Sequence, residues 1–484
     1  AAPDGDGDCQ HRNSPVMSIE IRPIAPTKKE LTRAVKFAID LYRGNDCYVP
    51  PLVFDEVNTL MPSKNPAFDH CEAQTFMAYA DGRPAGRVTA IINRLANERS
   101  GRKEARFGFI DFIDDEAVVD AMMGAVEDWA RQRGMKEIIG PMGFCDMDHE
   151  GMLVEGFDEL GTMATIYNYP YYPRHLERLG YRKDVDWVEY RMTVPDKVPE
   201  KMMRVSNIVR ERFGLRNLKY TSPSKIKADY GLALFELINE AYDKLYGYTP
   251  LTPKQIDYYI DMYLGILKLD YVSVIVDREN KLVGVGISMP SLSRALQKSR
   301  GRLFPLGWAR LLKAIKGKND VVDLMLVAIK PEYQGKGVNA LLFSDLLPLY
   351  IRDGLKFAES NLELEDNSGV QGQWQYFERR QHRRRVTAHV GAVHQLLHLR
   401  IHHVADLLHV GGVLLRYEDV LRAADRHRYP VRHAKTLLNS FRWVYILIRI
   451  ALYHKTRRRK VYFGEKRKFV KSCPAPLYAD PFFV

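Results

Sequence analysis

"PEYQGKGVNALL", residues 331–342, decides the fold, because it lies between the apolar run VVDLMLVAI (321–329) and a second run with helical spacing. Gly335 and Gly337 flank Lys336, whereas an ordinary turn from strand to helix needs one glycine at most. A helix that begins near Gly337 points unpaired backbone N–H groups toward the turn, and these groups favour a bound phosphate. The stretch therefore predicts a strand, an anion-binding turn and a helix. A tight turn with a surface lysine is the alternative.

Length and composition limit the class of protein. A chain of 484 residues predicts two or three domains, and 46% hydrophobic residues allow sizeable cores. The five cysteines are scattered without zinc-ligand spacing, which favours a reducing compartment such as the cytoplasm and no disulfide framework. Residues 1–16 have no apolar centre, so we expect a disordered leader rather than a signal peptide. The late apolar run 443–453 is too short to span a bilayer.

The positive charge is confined to the end of the chain. Residues 1–385 contain 54 Lys and Arg against 54 Asp and Glu, whereas residues 386–484 contain 18 against 6, so the end of the chain carries the whole net charge of +12. A neutral body gives no support to nucleic-acid binding. Binding to nucleic acid or to a membrane surface would depend entirely on the tail.

The element order occurs twice. Residues 112–142 overlay on residues 332–362 at an offset of 220 without a gap, and each copy predicts a helix followed by a strand. We predict an α/β (α+β) protein of two units, each a mixed twisted sheet flanked by helices. The units are 17–193 and 202–385, joined by a linker at 194–201.

The region 386–484 has a different character. Its first fifty residues hold 8 of the 14 histidines, and Lys/Arg clusters follow. His394, His398 and His402 have the spacing of one helical face, a zinc-like arrangement. The His/Leu/Arg bias is instead typical of translation in a wrong frame, so we predict that much of this tail is not an authentic domain, and we expect no metal site.

The glycine stretch is similar to a family signature. Gln334, Gly335, Lys336, Gly337 and Val338 match Q/R-x-x-G-x-G/A, and Asn339 departs from its last position. Here the sequence resembles the GNAT superfamily of acyl-CoA-dependent N-acyltransferases. The resemblance implies that backbone amides from Gln334 to Asn339 hold the pyrophosphate of coenzyme A. It also implies that a backbone N–H near Leu326 or Val327 stabilises the thioester oxyanion.

The resemblance continues through Asn367. In the family an Asn is followed seven residues later by a Tyr, but that position holds Trp374 here, and Tyr376 is the nearest phenol. In the first copy the acidic residues 114–116 replace the glycine turn, and carboxylates repel a pyrophosphate. The first unit is therefore expected to have lost CoA binding, and to shape the acceptor pocket or serve structure.

Acyl transfer to an amine needs a group that accepts the amine proton. Asp323, at the start of the apolar strand, is the predicted base, Glu359 is a rival, and Tyr376 is the candidate acid. A strand-edge carboxylate facing water and an ordinary packing aromatic are the corresponding structural alternatives.

Two other polar or aromatic stretches are open to interpretation. CDMDHEG (145–151) contains Asp146, Asp148, His149 and Glu150, but it lacks calcium-loop spacing, so a polar loop is favoured over a metal site. YNYPYY (167–172) could line an acceptor pocket or pack between the units.

The predicted function is transfer of an acyl group, with acetyl expected, from acyl-CoA to an amine of unknown size. The alternative is a CoA-binding sensor or scaffold without catalysis. The sequence predicts no nucleic-acid partner for the body, no membrane span and no metal cofactor.

Overall fold

The computed structural model describes residues 17–391. The predicted leader lies outside these residues, as do residues 392–484 of the predicted tail with His394, His398 and His402. The described strands are β1 (Ile19–Pro23), β2 (Cys71–Ala80), β3 (Arg83–Asn93), β4 (Glu104–Phe112), β5 (Glu137–Gly140), β6 (Met152–Glu155), β7 (Arg182–Thr193), β8 (Arg216–Leu218), β9 (Val272–Val276), β10 (Leu282–Pro290), β11 (Val321–Ile329), β12 (Phe357–Ser360), β13 (Glu363–Leu364) and β14 (Arg379–Gly391).

Helices connect and cover these strands. Within the same residues they are α1 (Lys28–Leu41), α2 (Val53–Thr59), α3 (Arg94–Ser100), α4 (Glu116–Gln132), α5 (Tyr171–Arg178), α6 (Glu200–Phe213), α7 (Pro223–Tyr242), α8 (Pro253–Tyr263), α9 (Ser293–Ser299), α10 (Gly307–Lys316), α11 (Asn339–Arg352) and α12 (Ser368–Gln371). Among them, none is long and apolar enough to cross a bilayer.

All the described strands belong to one mixed sheet, with the order β1-β2-β3-β4-β5-β14-β7-β12-β11-β10-β9-β8 and with β6 and β13 beside β14 and β7. Most neighbours are antiparallel, but β4 pairs in parallel with β5 and β11 with β12, across the helices α4 and α11. The predicted fold class, α/β with mixed sheets flanked by helices, is confirmed.

Local sequence signals explain the helix that covers the first half of the sheet. The side chain of Asp115 accepts a hydrogen bond from the Val118 N–H and caps α4. Met122, Val126 and Trp129 follow at helical spacing and are buried against the sheet. The helix ends just before Gly134, whose φ is +76°. The cap, the apolar face and the glycine explain why the helix predicted within residues 112–142 spans Glu116–Gln132.

The last strand of each sequence unit crosses to the other unit. Strand β7 pairs with β12 of the second unit, β14 pairs with β5 of the first, and β7 and β14 pair with each other. The division at 194–201 thus separates the two units in sequence while their strands share one sheet. Strand β14 also continues past Arg385, and Val386, Ala388 and Val390 join the core of the first unit.

Strands β11 and β12 pair over only part of their length, and this positions the site. Their parallel pairing covers Val321–Leu324 against Phe357–Ser360, where β12 ends. Strand β11 continues to Ile329, paired with β10 on its other side. A gap therefore opens beside the second half of β11.

Candidate active site

The glycine turn leads from β11 to α11. Gly335 and Gly337 have φ values of +70° and +80°, which residues with a side chain rarely adopt. In the described part of the chain, the N–H groups of Gly335, Gly337, Val338 and Asn339 donate to no carbonyl. Unpaired N–H groups at the start of a helix favour a bound anion such as a phosphate.

The residues around the turn hold it in place and leave one side open. The side chain of Gln334 donates from Nε2 to the Ile329 carbonyl at 2.9 Å, which ties the turn to β11. A Cβ at Gly337 would lie 3.3 Å from Val205 of α6, whereas a Cβ at Gly335 would meet nothing within 4 Å. An anion can therefore approach the backbone at Gly335.

The gap beside β11 exposes backbone polar groups. The Met325 carbonyl accepts from the side chain of Asn361 at 3.2 Å, and the Val327 carbonyl accepts from the Tyr242 hydroxyl at 2.8 Å. In an antiparallel strand the N–H and C=O of one residue point to the same side, so the Val327 N–H also points into the gap. Of the two predicted oxyanion donors, Val327 is therefore oriented for the role and Leu326 faces β10.

The gap widens into a cavity of about 480 Å³. Its wall is mostly apolar and is contributed by both sequence units; Trp187 and Met163 come from the first, and Leu234 and Leu346 from the second. Leu326, Val327 and Asn367 line it as well. Such a volume accommodates a ligand much larger than an acetyl group.

No family model matches this chain. Among curated proteins, it is 30% identical over 349 residues to Protein YghO from Escherichia coli K12, a match that covers 71% of this chain and 88% of YghO. It is also 30% identical over 315 residues to the Bacterial ceramide synthase of Caulobacter vibrioides, covering 64% of this chain and 80% of that enzyme. The chain belongs to the family of these two proteins.

Solved structures similar to this member of the YghO and ceramide synthase family include GNAT proteins. A tandem GNAT protein from the clavulanic acid biosynthesis pathway matches with a TM-score of 0.48 and 13% identity, covering 78% of this chain and 99% of that one. A GCN5-related N-acetyltransferase from Sphaerobacter thermophilus matches with a TM-score of 0.41 and 13% identity, covering 77% and 96%.

The predicted base of this family member does not line the cavity. Asp323 is buried where β11 pairs with β12, directly beside Glu359. Burial, reinforced by the charge of Glu359, raises the pKa of Asp323 to about 8, so this carboxyl is protonated at neutral pH. The rival Glu359 is bonded to Arg383 at 3.0 Å and to Arg191 at 3.5 Å. Both residues are internal to the sheet, and neither of them lines the cavity.

The predicted acid lies outside the cavity too. Tyr376 is 39% exposed, and its ring centroid lies 5.2 Å from Nζ of Lys201. Trp374 occupies the inner position instead, where its indole N–H donates to Glu363 at 2.8 Å. The 3₁₀ turn Gly372–Tyr376 directs Trp374 inward and Tyr376 outward. Trp374, and not the predicted acid Tyr376, therefore lines the cavity.

The loop 145–150 of the first unit, interpreted from sequence as a polar loop, lines the cavity through Asp146, Asp148, His149 and Glu150. Burial raises the pKa of Asp146 to about 7 and that of Asp148 to about 6. Three carboxyl groups and an imidazole within five residues were the signal for this site. In the described part of the chain, no group of three such residues is arranged to hold a metal ion.

His149 has a defined tautomer. Its Nε2 atom lies 3.0 Å from the Met163 carbonyl, which can only accept, so Nε2 carries a proton and donates it. Burial lowers the pKa of the ring, which is neutral near pH 7. The Nδ1 atom is then a free acceptor beside the cavity, and this is the arrangement that a general base requires.

The corresponding turn of the first unit is closed by its own side chains. Asp115 places a carboxylate oxygen on the Val118 N–H, 3.0 Å away, at the start of α4. Asp114 accepts from His175 at 2.7 Å. The helix N-terminus that stays open in the second unit is therefore filled by a carboxylate in the first.

Proposed function

We propose that this protein is an N-acyltransferase that moves a long acyl group from acyl-CoA to an apolar amine. The observation that carries the proposal is that the second half of β11, whose edge is left unpaired by β12, lines the apolar cavity and leads along the chain to the glycine turn. A diphosphate held at the turn directs the rest of a thioester substrate along that edge. An acetyl group would leave most of the cavity empty, so a longer chain fits it better than the acetyl group expected from the sequence.

The name of one relative supports the same chemistry. A ceramide is the amide of a fatty acid and a long-chain amino alcohol, so a ceramide synthase joins an acyl group to an amine. We infer that this chain forms an amide of the same general kind. The apolar wall of the cavity supports an acceptor with a hydrocarbon portion, and the polar loop 145–150 supports an amine at its head.

We assign the chemical step to groups on the cavity wall. The neutral amine nitrogen attacks the thioester carbon, so that a C–N bond forms and the C–S bond breaks. The Val327 N–H stabilises the oxyanion that develops on the carbonyl oxygen. His149 takes the proton that the nitrogen releases onto Nδ1 and returns it to the leaving sulfur. The products are an amide and the CoA thiol.

The first unit binds the acceptor and not CoA in this proposal. Its own helix N-terminus is occupied by Asp115, so it does not bind CoA there. It contributes instead the loop 145–150 and Trp187 to the acceptor side of the cavity. The domain boundaries predicted from sequence, 17–193 and 202–385, then separate an acceptor-binding unit from a CoA-binding unit.

A turnover assay tests the function. The full chain is incubated with acetyl-, octanoyl- and palmitoyl-CoA and with a panel of amines that includes long-chain amino alcohols, and thiol release and amide mass are measured. We expect turnover with palmitoyl-CoA and a long-chain amine to exceed that with acetyl-CoA. Binding of acyl-CoA without thiol release for any amine would instead identify a CoA-binding sensor or scaffold, and would reject the enzyme assignment.

A further inference from the structure

A short surface segment exposes large apolar side chains that are not part of the buried core. Residues 17–391 contain ten exposed large hydrophobic side chains, and four of them lie within residues 304–312. Their exposed fractions are 76% for Phe304, 58% for Leu306, 51% for Trp308 and 43% for Leu312. Large apolar side chains that cluster on a surface are typical of an interaction site.

The sequence on both sides of this segment is strongly basic. Residues 294–319 contain no Asp or Glu. They contain eight basic residues: Arg294, Lys298, Arg300, Arg302, Arg310, Lys313, Lys316 and Lys318. In the described part of the chain only Arg300 among these forms an ion pair, with Asp40 at 2.5 Å. Positive and negative charges balance over residues 1–385, but residues 294–319 carry only positive charge. This local excess of positive charge indicates an anionic partner.

The inner side of the segment fixes it to the cavity wall. Leu311 of α10 and Leu296 of α9 are buried in one apolar cluster with Met289, and Met325 packs against that cluster. Met289 and Met325 also line the cavity. The exposed side chains thus stand on the outer surface of elements whose inner surface encloses the cavity.

Trp308 is arranged for transfer into an apolar medium. Its indole N–H donates to the Pro305 carbonyl at 3.1 Å, so the polar group of the side chain is already bonded within the segment. Insertion of the ring would leave no N–H unpaired, which removes the main cost of burying a tryptophan.

We propose that residues 300–318, here named the docking segment, bind the surface of an anionic phospholipid bilayer. Phe304, Leu306, Trp308 and Leu312 insert at the boundary between headgroups and acyl chains, while the basic side chains contact lipid phosphates. A nucleic acid would satisfy the charges but would leave the four apolar side chains exposed. The docking segment does not depend on the proposed acyl transfer, although it would hold the cavity close to lipid substrates.

Vesicle co-sedimentation of the full chain tests the docking segment. The test variant is Phe304→Ser/Leu306→Ser/Trp308→Ser, and the matched control is Met203→Ser/Ile208→Ser/Leu232→Ser, which removes three other exposed apolar side chains. On vesicles of phosphatidylcholine with phosphatidylglycerol, we expect binding by the test variant to be roughly tenfold or more weaker and binding by the control to be unchanged. Equal binding by test variant and wild type would overturn the proposal, since the basic tail alone would then explain it.

Depth-dependent quenching provides a second measurement. Brominated acyl chains quench a tryptophan that lies within the bilayer, and Trp308 is the exposed one among the described tryptophans. We expect bound wild type to be quenched and Trp308→Phe, which keeps an apolar ring for insertion, to bind equally but to lose that quenching. Undiminished quenching in Trp308→Phe would overturn the proposal. A second contrary result is possible. If wild type binds duplex DNA but not vesicles, and the triple substitution abolishes the DNA binding, the segment is a nucleic-acid surface and the proposal is overturned.

Discussion

Burial has opposite consequences for two titratable side chains, Asp323 and His149. Asp323 is buried in the sheet away from the cavity, whereas His149 lies on the cavity wall. Burial shifts the pKa of both toward the neutral form. For a carboxyl group the neutral form is protonated and cannot accept a proton, but for an imidazole it is the form that can. The same desolvation therefore has opposite effects on the ability of these two side chains to accept a proton.

His149→Gln tests the base. We expect kcat to fall by roughly 10²- to 10⁴-fold while affinity for CoA is unchanged, because the proton acceptor is lost and the glycine turn is intact. The charged groups that act on the ring are Glu56, which raises its pKa, and Arg385 and Arg87, which lower it.

The wild-type rate should accordingly fall on the acid side of the pKa of His149, below the ordinary value of 6.5, and this limb should be absent in His149→Gln. His175→Gln, at the turn of the first unit, is the control and should retain activity. A normal kcat for His149→Gln would exclude His149 as the base.

Asp323→Asn tests whether the carboxyl group of Asp323 is needed for catalysis or affects only the stability of the fold. The folded pKa of about 8 exceeds the ordinary value of 3.8, so the folded state holds a proton that the unfolded state releases, and stability falls as pH rises between these values. The substitution removes that loss. We expect activity to be kept, little change in the free energy of unfolding near pH 4, and a gain of about 2–4 kcal/mol near pH 8. Loss of activity without the pH-dependent gain would restore Asp323 as the base.

At the scale of elements, the sequence predicted what is local and missed what is distant. The glycine turn, the helix α4 and the partial match to a family signature all depend on residues within one short stretch. The placement of β14 does not, because its partners β5 and β7 are far away in sequence. Its sequence RRQHRRRVTAHVG contains five arginines, a residue that is mostly exposed in proteins, yet Arg383 and Arg385 are buried because Glu189 of β7 neutralises them. The site loop 145–150 was missed for the same reason, since its position against the second unit follows from the shared sheet.

Gly335→Asp and Gly335→Asn form a matched pair for the turn. Both side chains enter open space and both residues tolerate the positive φ better than most, so their strain is similar and only the charge differs. We expect Gly335→Asp to bind CoA at least about tenfold more weakly than Gly335→Asn, because a carboxylate beside the free N–H groups repels the diphosphate. Calorimetric titration with CoA measures the difference. Equal affinities would mean that the diphosphate binds elsewhere.

At the scale of the whole molecule, a buried ion cluster lies where the two sequence units exchange strands. Glu189 of β7 accepts from Arg383 at 2.7 Å and from Arg385 at 2.6 Å, and Arg383 also reaches Glu359 of β12 at 3.0 Å. The three side chains of the central group are almost completely buried. Charges in such a place are tolerated only when paired, so this cluster fixes the register of β7 against β14 and couples the two halves of the sheet.

Glu189→Gln should therefore destabilise the whole described sheet and not one half of it. Removing the carboxylate leaves two buried guanidinium groups without their shared partner, and we expect a loss of about 3–5 kcal/mol in the free energy of unfolding. The two arginines lower the pKa of Glu189 to about 2, so its contribution is present above the ordinary value of 4.5 and is lost as pH falls toward 2. The variant should lack that part of the acid dependence of stability.

Glu365→Gln, which removes an exposed partner of Arg384, is the control and should lower the free energy of unfolding by less than about 1 kcal/mol. Fluorescent probes in both halves of the sheet, such as Trp129 and Trp374, should report one shared transition in chemical unfolding. Two separate transitions, of which Glu189→Gln displaces only one, would show that the strand exchange does not couple the units.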